Sequence, residues 1–372
     1  MYQLADGSEL TREQMRDLDD ELFASNPSAY WRARIDALLA DPPAASAVPA
    51  RVGEIVAAGL SSDILKFASP TADERDLQRR LDAFALRHHI AEALVRLMHA
   101  VSASLTARER CIWASLTVSP TSAKVVVDDL RSRAHSDTDP LPLNRVFLPA
   151  ADQPIEDHVA GTALEALRVA WSWVEHAMTL MVSDGLDVNA GHNKLKHGLA
   201  VRGRDDQRVE VTAVAPDADG NIPLSAFETS LPVVDDIAAV FLTRQTGRAN
   251  PLAGSWEMTV LNLRPGPILA EALMLNLIYG AVFAVAAERH FAGRDVPRPQ
   301  HPGLPLGPKP ERIARGVDGM RSPLTRPAGA SDPRPSVIQR GRQTVPFTFS
   351  GEVIAGIVVD DPEVPGEPQA DA

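Results

Sequence analysis

The feature that most constrains the fold is a stretch of helical periodicity between residues 155 and 201. Apolar side chains recur there at alternating steps of three and four residues, which places them in one stripe along a helix. The stripe consists of Leu164, Leu167, Trp171, Val174, Met178 and Met181. Gly185 ends the run, because glycine adopts a left-handed backbone at low cost. A helix with such a stripe must bury it against other elements, so the sequence predicts a helical bundle.

Segments with the same period lie on both sides of this stretch. Residues 11–39 read as one or two helices, with a capping box from Thr11 to Gln14 and a break at Asn26 and Pro27. A helix begins near Thr71 and can run to residue 105, and an apolar helix covers residues 267–291. Residues 122–134 are open between helix and strand, because the run from Val125 to Val127 is β-branched.

The period changes after the central stretch. Residues 208–214 alternate between apolar and polar side chains, and residues 237–243 and 256–263 also read as strands. Residues 217–221, Asp-Ala-Asp-Gly-Asn, have the composition of a turn. The predicted fold class is therefore α+β and predominantly α, a helical bundle with a small antiparallel sheet insertion and a disordered C-terminal arm.

The composition divides the chain further. Residues after 292 are rich in proline and arginine with few large apolar groups, and such a segment cannot bury enough surface to offset its ordering entropy. An apolar strand beyond that arm would dock on the protein's own sheet edge or on a partner protein. The predicted organisation is an N-terminal helical segment (1–45), a helical bundle (50–292) with strands near 208–263, a disordered arm (293–345), an isolated strand (346–360) and an acidic tail (361–372).

Charge and targeting signals limit the function classes. The net charge of −12 favours solubility and argues against nonspecific binding of polyanions, so RNA is not indicated by charge. The N-terminus has no basic start followed by an apolar run, which predicts a cytoplasmic protein. Residues 272–287 carry no charge but are shorter than the ~20 residues of a spanning helix. They predict a buried central helix and no membrane partner.

The candidate site is the polar cluster at residues 192–198, which follows the amphipathic stretch. A neutral imidazole transfers protons near pH 7, an amide can position it, and a lysine can stabilise developing negative charge. Asn193 and His197 lie one turn apart on a helix and share a face. The candidate residues are His192, Asn193, Lys194, Lys196 and His197. The alternative is a capped polar helix end that hydrogen-bonds a turn.

The run His-Asn-Lys-Leu-Lys-His-Gly, with Asn193 one turn before His197, resembles the second half of the motif of HEPN-domain proteins. The resemblance implies a bacterial-type helical bundle of toxin–antitoxin or phage-defence systems, whose active members are metal-independent ribonucleases. It implies that His197 is the catalytic histidine, that Asn193 is the polar motif residue, and that the site forms between two protomers of a homodimer. The motif's arginine position is occupied by His192, which lacks the permanent positive charge with which arginine binds phosphate.

Two function classes follow. In the first, the protein is a non-enzymatic binding or assembly module with a HEPN-like body, and its arm and terminal strand engage a partner. In the second, it is a ribonuclease in which His197 is the general acid or base and Asn193 orients it. Lys194 or Lys196 would then replace the missing arginine at the phosphate.

No metal and no cofactor are predicted. His88 and His99 share a helix face with His89 between them, but three turns place them ~16 Å apart, too far for one mononuclear site. Residues 215–226 resemble the middle of a calcium loop, yet alanines stand at both end ligand positions. A hairpin turn is the favoured interpretation of that segment.

Overall fold

A computed structural model of the chain describes residues 10–40, 71–106, 110–117, 123–136, 141–153, 161–182, 186, 188–196, 198, 201–204, 209–211, 214, 223, 225, 228, 231–234, 237–244, 256–313 and 319–325. His197, the predicted turn at 217–221, the predicted strand at 346–360 and the acidic tail lie outside these residues.

The N-terminal region forms two helices, α1 (Arg12–Phe23) and α2 (Pro27–Leu39). The predicted capping box is confirmed. The backbone N–H of Gln14 donates to Thr11 Oγ1 at 3.2 Å, and the backbone N–H of Thr11 donates to Gln14 Oε1 at 2.9 Å. The predicted break is also confirmed, since Asn26 caps α2 by accepting from the Ala29 N–H.

The predicted helical bundle is confirmed by the elements that follow. They are α3 (Ala72–Thr106), α4 (Ile112–Thr117), α5 (Ala123–Ala134), α6 (Leu143–Phe147), a 3-10 turn (Ala150–Asp152), α7 (Gly161–Val182), α8 (Val188–Lys196), α9 (Pro265–His290) and α10 (Pro310–Ile313). The β-branched run from Val125 to Val127 is helical. Val126 and Val127 are buried there, so packing overrides their preference for strands.

Helix α9 is the centre of the bundle and packs along α3, with α2 and α7 beside it. It is long and apolar enough to cross a membrane by length and composition, and 83% of its most apolar window is buried inside the protein. It is therefore the buried central helix that the sequence predicts. The largest buried rings of this core are Phe23, Phe147, Trp173, Phe283 and Phe291. Burying such rings supplies most of the stabilisation of a core.

The strands are β1 (Val201–Arg204), β2 (Val209–Val211), β3 (Leu231–Val234), β4 (Ala238–Arg244), β5 (Trp256–Asn262) and β6 (Gly319–Thr325). Four form an antiparallel sheet in the order β1-β4-β5-β6, while β2 pairs with β3. The inner face, with Phe241 and Leu261, packs on Leu81 and Phe84 of α3. The α+β fold class is confirmed, and β1, β3 and β6 add to the three predicted strands.

Part of the arm predicted over 293–345 is ordered. Residues 293–313 follow α9 along the helical body, and β6 joins the sheet beside β5. Residues 314–318 and 326–345 lie outside the described part.

Specific polar contacts order this segment, and Leu304 and Ile313 also pack against the core. Arg294 donates two hydrogen bonds to Asp20 of α1 at 2.8 and 2.7 Å, and Trp173 Nε1 donates to the Pro308 carbonyl at 2.9 Å. His301 Nε2 lies 3.0 Å from the Phe147 carbonyl oxygen. The many prolines also lower the entropy lost on ordering, because they restrict the unfolded chain. Composition alone therefore underestimates the order of this segment.

Candidate functional site

Helix α8 carries most of the predicted site and is wedged between α3 and the sheet. Gly191 makes this close approach possible, since a Cβ there would lie 2.7 Å from Phe241 Cε1 on β4. Leu195 packs against the apolar cluster shared by the sheet and α3. Gly198 follows with a φ of 81°, in the left-handed region that glycine adopts without strain. The helix is thus held on one side and open on the other.

His192 points into the protein and is only 1% exposed. Its ring stacks on His88 of α3, with 4.2 Å between centroids and 28° between planes. Its edge also meets His89, with centroids 4.6 Å apart and planes at 88°. Neither ring nitrogen of His192 has a hydrogen-bond partner in the described structure. A buried imidazole N–H without a hydrogen-bond partner destabilises the folded protein by about 1–3 kcal/mol, and packing must offset this loss.

A chain of hydrogen bonds runs from His88 to the surface. His88 Nε2 lies 3.1 Å from Asn189 Oδ1, and the Asn193 amide donates to the same oxygen at 3.4 Å. Because an amide oxygen only accepts, Nε2 of His88 carries the proton and donates. Asn193 is exposed, so the buried imidazole is joined to solvent through two amides.

The three imidazoles are held neutral near pH 7. Burial lowers the pKa of His192 to about 3, with smaller contributions from His88 and His89. Burial also lowers the pKa of His88 to about 4, helped by the charge of Arg87. Burial again dominates for His89, whose pKa is lowered further by Lys196 and Arg34. His192, at the motif's arginine position, therefore carries no positive charge near pH 7.

The outer side of α8 is polar. Asn193 and Lys196 are exposed and Lys194 is half-buried. Within the described part of the chain, neither lysine forms a salt bridge. Of the predicted site residues, Asn193, Lys194 and Lys196 thus reach the surface and His192 does not. His197 lies outside the described residues.

The contact between His88, His89 and His192 was not predicted. The two histidines of α3 stand about a hundred positions before His192, and the sequence contains no signal that joins them. Adjacent histidines on a helix only indicate that the two rings point in different directions. The pairing depends on the packing of α8 against α3.

The described residues contain no group of three histidines, cysteines or acids arranged to hold a metal ion. A separate buried network joins α3, α7 and α9, where Glu271 lies 3.1 Å from Arg87 Nη1 and 2.9 Å from His176 Nε2. Burial acts to raise the pKa of Glu271, but these two partners outweigh it and hold the pKa below its usual value. This network ties the bundle together and does not reach the outer side of α8.

No protein-family model, no curated protein and no solved structure matches this chain.

Proposed function

We propose that the protein is a non-enzymatic binding module with a HEPN-like helical body, and that its partner contacts the outer side of α8. The observation that carries the proposal is the burial of His192, the residue at the motif's arginine position. Its ring is 1% exposed and stacked on His88, so it neither reaches nor neutralises a phosphate in solvent. A ribonuclease of this type needs a cation there.

The remaining surface is suited to recognition. Asn193 and Lys196 are exposed, and the backbone beneath them is fixed by Gly191 and His192. A preorganised polar surface loses little entropy when it binds, which favours specific contacts. The proposed partner is a second copy of the chain or another protein, and the strand predicted at 346–360 is a second proposed contact.

Lysine-directed cross-linking in the native cell tests the surface. Lys194 and Lys196 should recur in cross-links to one partner, and Asn193→Trp should abolish them by steric block. The matched control is Lys124→Trp, a substitution of an exposed lysine on α5, which should leave them unchanged. Isotopically mixed copies identify a homodimer by links between labelled and unlabelled chains. Partner links that survive Asn193→Trp would place the binding surface elsewhere.

A ribonuclease is the second candidate, favoured by one observation. Asn193 and Lys196 lie exposed on the turn that leads to His197, so an amide and a cation stand beside that histidine in the sequence. Incubating RNA with the wild type and with His197→Ala under a metal chelator separates the two candidates. The binding module predicts intact RNA with both proteins. Degradation by the wild type alone establishes the ribonuclease.

A further inference from the structure

The outer face of the four-stranded sheet, which is the face turned away from α3, is apolar and partly open. Side chains alternate between the two faces of a strand, so every second residue of β4 and β5 belongs to it. The cross-strand pairs on this face are Val240 with Val260, Leu242 with Met258 and Arg244 with Trp256. Leu242 is 42% exposed and Trp256 is 43% exposed. Exposed apolar side chains that lie side by side mark a surface for an interaction.

The two ends of this face differ in burial. Ala238 and Val260 at one end are buried and form an apolar cluster, and β3 packs against β5 and β6. Leu242 and Trp256 at the other end are exposed. The open end is therefore continuous with a buried apolar cluster on the same face. A further apolar segment placed there would extend that cluster and remove its edge from water.

Two arginines border the open end. Arg244 is the last residue of β4 and pairs with Trp256, while Arg202 of β1 pairs with Val240. Residues directly opposite each other project to the same side of a sheet, so both arginines belong to the outer face. Both are exposed, and among the described residues no carboxylate forms a salt bridge with either. The occupant that suits this face is an apolar segment flanked by negative charge.

The sequence contains such a segment at residues 353–359, Val-Ile-Ala-Gly-Ile-Val-Val. It is the apolar part of the strand predicted at 346–360. Glu352 precedes it, and Asp360 and Asp361 follow it directly. Residues 347–372 as a whole hold six acids and no base. The segment therefore matches the sheet face both in its apolar character and in the sign of its flanking charge.

The chain also leaves the sheet beside this face. The last residue of β6, Thr325, pairs with Trp256 of β5. Residues 326–352 connect that point to the segment, and a flexible chain of this length spans roughly 30 Å. Neighbouring strands lie only about 4.8 Å apart, so such a connection reaches every part of a four-stranded face. It also holds the segment near the face at a high effective concentration.

We propose that residues 353–359 dock on the outer face of their own sheet and cover Leu242 and Trp256. The acids on either side of the segment meet Arg202 and Arg244. The inference goes beyond the proposed function and does not rest on the α8 surface, which contributes no residue to this face. It adds a condition to the second proposed contact, because a partner that takes the segment must first displace it from the sheet.

Photo-cross-linking of the full chain tests the docking. Benzoylphenylalanine is introduced in place of Leu242, and the links formed on irradiation are mapped by mass spectrometry in a mixture of isotopically labelled and unlabelled copies. The expected links join position 242 to residues 353–359 of the same chain. The matched control carries benzoylphenylalanine in place of Val125, which is 56% exposed on α5. It should form no link to the segment.

Two substitutions in the segment test whether the links depend on apolar contact. Ile357→Asp combined with Val358→Asp replaces two apolar side chains by charged ones. The yield of links from position 242 should fall about ten-fold or more, because burying each apolar side chain stabilises the docked state by about 1.5–3 kcal/mol.

Charge reversal tests the contribution of the arginines. Arg202→Glu combined with Arg244→Glu should lower the yield of links roughly two-fold or more, since each arginine then repels the acids of the segment. Adding Asp360→Lys and Asp361→Lys to that variant should restore the yield. The matched control is Arg131→Glu, a substitution of an exposed arginine on α5, which should leave the yield unchanged.

Three results would overturn the inference: no link from position 242 to the segment, links only between labelled and unlabelled chains, or links that the two aspartates leave unchanged. Circular dichroism reports the fold of each variant, so a variant that does not fold is recognised. The lysine cross-links of the α8 surface are measured separately. Partner links that respond to Asn193→Trp, in a protein whose segment is not docked, would reject this inference and leave the binding module standing.

Discussion

His88 and His192 stack with 4.2 Å between ring centroids and so join α3 to α8 through two neutral imidazoles. The pKa values of both rings are lowered, to about 4 and about 3, mainly by burial. The unfolded chain binds protons with an ordinary histidine pKa, so it takes up protons before the folded protein does. The stack is therefore stable near neutral pH and weakened by acid.

The first prediction concerns that pH dependence. The free energy of unfolding should be fully maintained above about pH 6.5 and should fall as the pH decreases toward 4, by at most about 1.4 kcal/mol per pH unit for each ring. Urea denaturation at a series of pH values measures it. His192→Phe keeps a ring in the stack but cannot titrate, so its stability should fall less steeply over the same range. If the free energy of unfolding of the wild type and of His192→Phe falls in parallel with pH, His192 does not contribute to the pH dependence.

The second prediction concerns the close approach of α8 to the sheet. Gly191→Ala places a methyl group 2.7 Å from Phe241 Cε1, so the ring or the helix must shift. We expect a loss of about 1–3 kcal/mol in the free energy of unfolding, measured by urea denaturation. The control is Gly266→Ala at the start of α9, where no atom lies within 4 Å of the added methyl and the substitution should be neutral or mildly stabilising.

A double-mutant cycle separates this contact from helix propensity. Phe241→Leu removes the ring that the new methyl meets. The combined variant should therefore lose less free energy of unfolding than the two single variants lose together. Additive losses would show that Gly191→Ala acts through the backbone alone.

The sequence predicted those parts of the structure that depend on local contacts. The capping box at Thr11, the break at Pro27 and the apolar stripe of α7 need only residues within a few turns of one another. The stacking of His192 on His88 and the pairing of Arg294 with Asp20 join residues far apart in the chain. Such contacts depend on how the helices pack, and neither composition nor periodicity predicts them. For this reason the burial of His192 and the order of residues 293–313 were not predicted.

The third prediction concerns the segment after α9. Asp20 accepts two hydrogen bonds from Arg294 and also contacts His290, and these bonds hold the pKa of its carboxyl at about 2. Asp20→Asn removes the charge, so the segment should separate from the body more often. Limited trypsin digestion should then cleave faster after Arg294, whose guanidinium is no longer held by the Asp20 carboxylate.

The matched control is Glu21→Gln, a substitution of the next residue, which is exposed and has no salt bridge to the segment in the described structure. It should be cleaved at the wild-type rate. If Asp20→Asn is cleaved no faster than the control, the segment is held by its other contacts, such as that of Trp173 with Pro308.

The fourth prediction concerns the charge network at the centre of the bundle. Glu271 is buried with Arg87 at 3.1 Å, so Glu271→Gln leaves the guanidinium buried without a counter-charge. We expect this variant to lose about 3–5 kcal/mol in the free energy of unfolding. Glu271→Gln combined with Arg87→Met removes both charges, and because an apolar side chain replaces the buried ion, most of the loss should be recovered. Urea denaturation of the wild type, of Glu271→Gln, of Arg87→Met and of the combined variant measures the coupling. A combined variant as unstable as the two single losses added together would mean that Arg87 stabilises the bundle by packing, independently of Glu271.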